Sequence, residues 1–322
     1  MKRLIAYLPT SVGRPARILA WFSLAFQVVL IGTGGAVRLT GSGLGCPTWP
    51  RCTESSFVST PEMGIHGVIE FANRMLTFVL ALIVIAVFLA VVRFWRERRD
   101  LFVLTLLQGL SIPLQAVIGG ITVLTGLNPF IVGVHFVISI LLVVNATILV
   151  YRVYRGPRGA RREAPLWYLI VAHIASLFVA ITVVIGILTT GSGPHAGDEK
   201  TPRNGLDAEL LQHFHSWPAY VLLGLTVVLV AGSFVLRLGV RRWALALLAV
   251  EALQVIVGLT QARLGLPPLL VGIHMVLAGL LVAAMTVVVL SLRSSANAPE
   301  SVDDPWELSS AGRTPRRSPS VG

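Results

Sequence analysis

The segment LQAVIGGITVLTGLNPFIVGVHFVISILLV, residues 114–143, returns 139 positions later and without a gap as LQVIVGLTQARLGLPPLLVGIHMVLAGLLV, residues 253–282. Thirteen of the 30 positions are identical, among them Gln115/Gln254, Gly119/Gly258, Pro129/Pro268, Gly133/Gly272 and His135/His274. Apolar helices resemble one another by composition alone, but Gln, Pro and His in register mark an internal repeat. Outside this block, TGSG at 40–43 recurs as TGSG at 190–193, and Glu70-x-x-Asn73 falls where Gln212-x-x-His215 falls in the second half. The chain therefore reads as two copies of one unit in tandem.

Each unit has the composition of a bilayer protein. Of the 322 residues, 55% belong to the AVILMFWYC class and 13% are charged, whereas a soluble chain carries roughly a quarter charged. Stretches of about 20 apolar residues, enough to cross the hydrocarbon core, fall near 16–37, 64–92, 101–124, 129–151, 165–189, 208–236, 243–263 and 268–292. The expectation is an all-α integral membrane protein of eight transmembrane helices forming two tandem four-helix bundles. An even number of spans per unit puts the pseudo-two-fold axis along the membrane normal. The divisions are a cytoplasmic N-terminal segment (1–15), a first half (16–153), a basic cytoplasmic linker (154–164), a second half (165–293) and a disordered cytoplasmic tail (294–322) rich in Ser, Pro and Arg. The first apolar run follows basic residues but has no A-x-A cleavage site, and reads as a retained anchor.

The net charge of +11 comes from 26 Lys and Arg gathered in short clusters between apolar runs. Such spacing sets membrane orientation and does not build a nucleic-acid face, so the partner it implies is the lipid bilayer. With the N-terminus inside, twenty of these residues fall on the inner side, five on the outer, and Arg74 within a span. Both termini are expected in the cytoplasm, and the chain in the cell (plasma) membrane.

Against this apolar background a few polar residues carry the chemistry. His66 and His215 open the second and sixth spans, and His135 and His274 lie near the starts of the fourth and eighth. All four helices enter from the outside, which predicts one histidine layer near the outer leaflet. Ionisable groups inside a membrane are functional candidates by default, and two opposed imidazoles in a bundle suit axial ligation of haem iron. Zinc takes four ligands, and each half has two such histidines. His173 reads as structural, and His195 and His213 as solvated. Glu70 lies four residues after His66 and four before Arg74 on one face of its helix, either as a functional acid or as half of an i,i+4 ion pair. Cys46 and Cys52 flank PTWPR in the first outer loop, where a disulfide is expected, with a thiol-exchange role as the sharper alternative.

With these residues on the page, the chain resembles the haem A synthase family over roughly residues 20–292. The likeness is carried by GGAVRLTGSGLGCPTWPRC (34–52), IEFANR (69–74), GVHF (133–136), LQHFHS (211–216) and GIHM (272–275). The resemblance implies that the C-terminal half binds haem b through His215 and His274. It also implies that the N-terminal half takes haem O as substrate, with His135 on the fourth span. Of the family's second-span Glu-x-x-His-Arg motif, Glu70 and Arg74 match, while Asn73 replaces the histidine. His66, two turns nearer the outside on nearly the same face, is the residue offered in its place. A second loop Cys pair, carried by some members, is missing. The implied activity is oxidation of the haem O C8 methyl to a formyl group by successive hydroxylations and loss of water, giving haem A for terminal oxidases. Glu70 would accept a proton or stabilise positive charge. Implied partners are haem O synthase (protohaem farnesyltransferase) and an electron acceptor. Two other classes compete: a di-haem cytochrome b that only carries electrons, and a transporter. A transporter predicts ionisable residues near the bilayer midplane, and the sequence reading finds none.

Overall fold

The computed structural model describes residues 8–296. Residues 1–7 and 297–322, the latter being most of the expected disordered tail, lie outside the described residues. Eight helices are long and apolar enough to cross a membrane. They are α1 (Arg14–Leu39), α2 (Gly64–Val92), α3 (Arg99–Leu124), α4 (Pro129–Arg155), α5 (Leu166–Ser192), α6 (Ala208–Val235), α7 (Arg241–Arg263) and α8 (Pro268–Leu290). Their starts are written in local chemistry. Prolines at the first turns of α1, α4 and α8 supply a helical φ where no amide partner is needed. The Asn128 and Asp207 side chains accept from Phe130 N and Leu210 N at 3.0 and 2.9 Å to cap α4 and α6. Pro113 and Pro218 stand inside α3 and α6, tolerated because neighbouring helices shield the freed carbonyls.

The sequence repeat is visible in the turns that join α3 to α4 and α7 to α8. Gly126 and Leu127 take φ of 60° each, and Gly265 and Leu266 take 73° and 61°. The Leu amides donate to Thr122 O (2.7 Å) and Gln261 O (2.8 Å), which are equivalent positions. A leucine in the left-handed region is uncommon, so each turn is held by its surroundings. Leu127 is buried, and its side chain lies against Gly43 and Gly197.

Helices α1 to α4 close a ring, each touching the next and α1 touching α4, and α5 to α8 close a second ring in the same order. The rings meet through α1–α8, α4–α8 and α4–α5 contacts. The main apolar cluster lies at this junction, with Ile31, Ile140, Val143, Tyr168, Leu229, Leu281 and Val288 buried in it. Outward faces carry exposed Phe22, Phe78, Leu82, Leu110 and Leu141, as lipid-facing helices do.

The two ends of the bundle differ. At the end holding the α1–α2 loop, the loops of both halves are stitched by backbone and side-chain bonds. Arg38 donates from Nε to His195 O and from Nη2 to Thr190 O, and Gly43 N donates to Gly197 O (2.8 Å). His195 Nε2 donates to Leu266 O at 2.8 Å, so this residue is a half-buried tie and not the solvated side chain that its loop position suggests. At the opposite end, β1 (Arg158–Arg162) pairs antiparallel with β2 (Arg293–Ser295). The sequence shows no strand there, because RGARR lacks alternation and its partner lies more than 130 residues away.

One polar cluster locks the first ring: Ser23 Oγ donates to Gln108 Oε1 (2.7 Å) and Gln108 Nε2 to Asn145 Oδ1 (3.0 Å), joining α1, α3 and α4. Gln108→Leu leaves both partners unpaired. It is expected to destabilise the protein by about 1 kcal/mol, read as a lower thermal midpoint in detergent, and an unchanged midpoint would contradict the structural role.

Candidate functional site

His215 is the eighth residue of α6 and His274 the seventh of α8, so both sit roughly 10 Å from the helix starts. Their rings face each other across the second ring of helices with centroids 6.0 Å apart. Two imidazoles sharing one metal atom, each bond about 2 Å, span such a gap. His215 Nδ1 lies 2.9 Å from Thr182 O. A carbonyl only accepts, so Nδ1 carries the hydrogen and Nε2 keeps its lone pair for a ligand. Among the described residues no three His, Cys, Asp or Glu converge on a common point, so the donor set fits two axial positions and not a closed zinc site.

Both rings fit because a glycine stands behind each. A Cβ on Gly186 would lie 2.8 Å from His215 Cε1, and one on Gly258 would lie 3.1 Å from His274 Cε1. Gln254 Nε2 donates to His274 O at 3.1 Å, which fixes α7 against α8 at this level. Yet His274 Nδ1 and Gln254 Oε1 are buried without partners. An unmade bond to a buried polar atom costs about 1–3 kcal/mol, and such atoms gathered beside an imidazole pair fit an interior shaped around a ligand.

The first half repeats this backing around one histidine. A Cβ on Gly119 would lie 3.3 Å from His135 Cε1, and Gln115 Nε2 donates to His135 O (3.3 Å) and Ser139 Oγ (2.7 Å). His135 Nδ1, Gln115 Oε1 and Asn73 Oδ1 are buried and unpartnered. Asn73 occupies the position that His215 holds in the second half. His66 does not join the layer of the other three. It is the third residue of α2, exposed, and its Nδ1 lies 2.9 Å from Ser42 Oγ, itself 2.8 Å from Thr40 Oγ1. The sequence reading set it level with the others, but α2 begins only two residues before it.

Glu70 faces the loop above the first half. It is 5% exposed; Oε2 accepts from Cys46 N at 2.7 Å and Oε1 pairs with Arg74. Arg74 also donates to Cys46 O (3.0 Å), Thr48 O (3.3 Å) and Arg51 O (3.2 Å). Cys46 and Cys52 form a disulfide with both residues fully buried. The Trp49 ring packs on Gly120 of α3, where a Cβ would come within 2.4 Å of it. The ion pair, the disulfide and the tryptophan together close the loop over this end of the bundle.

One residue escaped the sequence reading. Glu251 is near the middle of α7, 2% exposed, and neither carboxylate oxygen has a partner. It faces Thr226 of α6, whose hydroxyl is also unpartnered. This corrects the view that no ionisable residue lies near the midplane. The signal was a single acid in an apolar window, and the repeat hid it by placing Ile112 at the matching position. His173 and His213 are exposed and outside both histidine sites.

A family model described as COX15-CtaA, cytochrome oxidase assembly protein, matches residues 17–286. The chain is 34% identical over 137 residues to the heme A synthase of Bacillus pumilus (strain SAFR-032), covering 41% of this chain and 42% of that protein. It is 30% identical over 136 residues to the heme A synthase of Listeria welshimeri (42% and 44% covered). For that of Lysinibacillus sphaericus (strain C3-41) the identity is 38% over 134 residues (39% and 41% covered). The matched stretches thus span under half the length of these relatives.

The glycine backing yields a direct test. Gly186→Ala puts a Cβ into contact with the His215 ring and is expected to destabilise by about 1–3 kcal/mol. Gly224→Ala, where the new Cβ meets nothing within 4 Å, is expected to be neutral or slightly stabilising. Thermal unfolding of both variants checks this, and equal midpoints would refute the close contact.

Proposed function

The chain belongs to the COX15-CtaA family of cytochrome oxidase assembly proteins, and from that premise we propose that it is a haem A synthase of the plasma membrane. It oxidises the C8 methyl of haem O to a formyl group by successive hydroxylations and loss of water. The observation that carries this reading is the His215–His274 pair, ring to ring at 6.0 Å with the His215 tautomer set by Thr182. His215 and His274 hold haem b, which supplies one-electron redox chemistry when bound. The second half presents the two nitrogens, and Gly186 and Gly258 keep the neighbouring helices close enough to fix both rings.

The substrate haem O belongs to the first half, where His135 presents a glycine-backed imidazole. Asn73, with its buried unpartnered oxygen, stands where the second half has His215 and would be one donor toward the substrate, with His66 at the rim as the alternative. Glu70 lies at the loop end of this half with both oxygens engaged, one on a backbone amide and one on Arg74. In this role it receives a proton as the substrate is oxidised, while Arg74 and the Cys46 amide hold it in place. The loop pinned by the disulfide covers the site and excludes water from it. Both termini lie in the cytoplasm, and the histidine layer lies toward the outer leaflet, as the Arg distribution requires. Haem O synthase as supplier of substrate, and a separate electron acceptor, complete the scheme.

A second reading draws on one specific observation: both Glu70 oxygens are already used in holding the loop. An electron-carrying di-haem cytochrome b needs no more of Glu70 than that. Pigments extracted from cells lacking the gene and from cells re-expressing it separate the two. The synthase predicts haem O accumulating in the first and haem A returning in the second; an unchanged haem profile would reject it.

Two variants locate the roles. His274→Ala is expected to abolish stable haem b binding while His173→Ala leaves it intact, read from the Soret band of purified protein. Glu70→Gln is expected to keep haem b and the fold while haem A formation falls at least tenfold, with haem O or a hydroxylated intermediate retained. Normal haem A yield from well-folded Glu70→Gln protein would remove Glu70 from the chemistry.

A further inference from the structure

At the end of the bundle opposite the disulfide, a cavity of about 310 Å³ opens between the β-ribbon, the ends of α4 and α8, the body of α5 and the α6–α7 turn. Its charged lining is Arg152, Arg155, Arg158 and Arg293 against a single acid, Glu163. That acid is already paired with Arg161 at 3.1 Å. Among the described residues none of the four lining arginines is in an ion pair; Arg152 and Arg293 reach only the neutral carbonyls of Gly156 (3.4 Å) and Ala160 (3.2 Å). Arg152 feels the attraction of Asp100 and Tyr151 as well as the repulsion of Arg158 and Arg98, and Asp100 is itself held by Arg98 through two bonds of 2.9 Å.

Helix ends do not neutralise this surplus. The negative ends of α4, α6 and α8 arrive here and the positive ends of α5 and α7 start here, which leaves a net partial charge of about half a unit against four arginines. Like charges gathered beside a low-dielectric slab repel strongly, and the surplus needs an anion. The apolar part of the lining is Leu238, Val240, Trp243, Leu290 and Leu292, set beside the polar Tyr151, His173 and Ser291. A free anion uses only half of such a wall. An amphiphile with an anionic head uses all of it.

We propose that this cavity binds the phosphate headgroup of an anionic phospholipid, phosphatidylglycerol or cardiolipin, with an acyl chain running along Trp243 and Leu238. Guanidinium forks match phosphate oxygens in pairs, and basic pockets between helix ends on the cytoplasmic side suit such headgroups. The site seals the junction of the two halves, since the ribbon joins the segment after α4 to the segment after α8. The inference stands apart from the proposed reaction, because no lining residue belongs to the histidine layer.

The test uses the full chain purified in a neutral detergent, with thermal unfolding and native mass spectrometry as readouts. Dioleoylphosphatidylglycerol or cardiolipin is expected to raise the midpoint by about 4 °C and to remain bound as a discrete adduct. Dioleoylphosphatidylcholine should do neither. Arg155→Gln/Arg158→Gln should lose both effects, whereas Arg96→Gln/Arg99→Gln, equal in charge and outside the cavity, should keep them. Haem content should be the same in all variants, which separates this site from the haem reading. Equal stabilisation by phosphatidylcholine, full stabilisation by millimolar inorganic phosphate alone, or an undiminished response in Arg155→Gln/Arg158→Gln would each overturn the lipid site.

Discussion

An imidazole inside a bilayer has to be fixed by the helix next to it, and here that contact is made against glycine. His135 rests on Gly119, His215 on Gly186 and His274 on Gly258. Any larger residue would push the ring or the helix away. The approach of α3 to α4 and of α7 to α8 is further pinned by Gln115 and Gln254, each donating to the backbone oxygen of the histidine it supports. Turns with left-handed Gly-Leu pairs then follow, because two helices held this close must be joined in very few residues.

The same scaffold carries different chemistry in its two halves. The second half faces two imidazoles and carries a buried Glu251 where the first half has Ile112. The first half has Asn73 in place of a histidine, and a buried Glu70 where the second half has an exposed Gln212. Identical motifs also diverge. In both TGSG motifs the threonine hydroxyl bonds back to its own helix, Thr40 to Ala36 O at 2.8 Å and Thr190 to Gly186 O at 2.7 Å, but Ser42 reaches His66 whereas Ser192 bonds back to Thr189 O at 2.9 Å. A duplicated backbone therefore fixes where polar groups stand and leaves open what they touch.

The two ends of the molecule are finished by different means. At the disulfide end, Arg38, Arg74 and His195 bond mostly to backbone carbonyls: Arg74 ties loops within the first half, His195 ties two turns of the second, and Arg38 joins the first half to the second. Such bonds hold a fixed lid, since carbonyls at close range are specific in direction. At the ribbon end Arg152, Arg155, Arg158 and Arg293 line a cavity, and among the described residues none of these four is in an ion pair.

The sequence by itself determined the number of spans and which histidines stand near the loop end of their helices, and it carries an internal repeat of its own. Those follow from a 139-residue period and from apolar run length, both of which act locally along the chain. It also singled out Glu70 and the Cys46–Cys52 disulfide, which the structure forms. Tertiary structure alone decided that His215 meets His274 while His66 stays at the rim, that both Glu70 oxygens are engaged, and that His195 ties the α5–α6 loop to the α7–α8 turn. It alone showed Glu251 without a partner and the linker paired with the segment after α8. Each of these depends on which helix face meets which neighbour, and that choice is set by close packing between segments far apart in sequence, where composition and period carry no information.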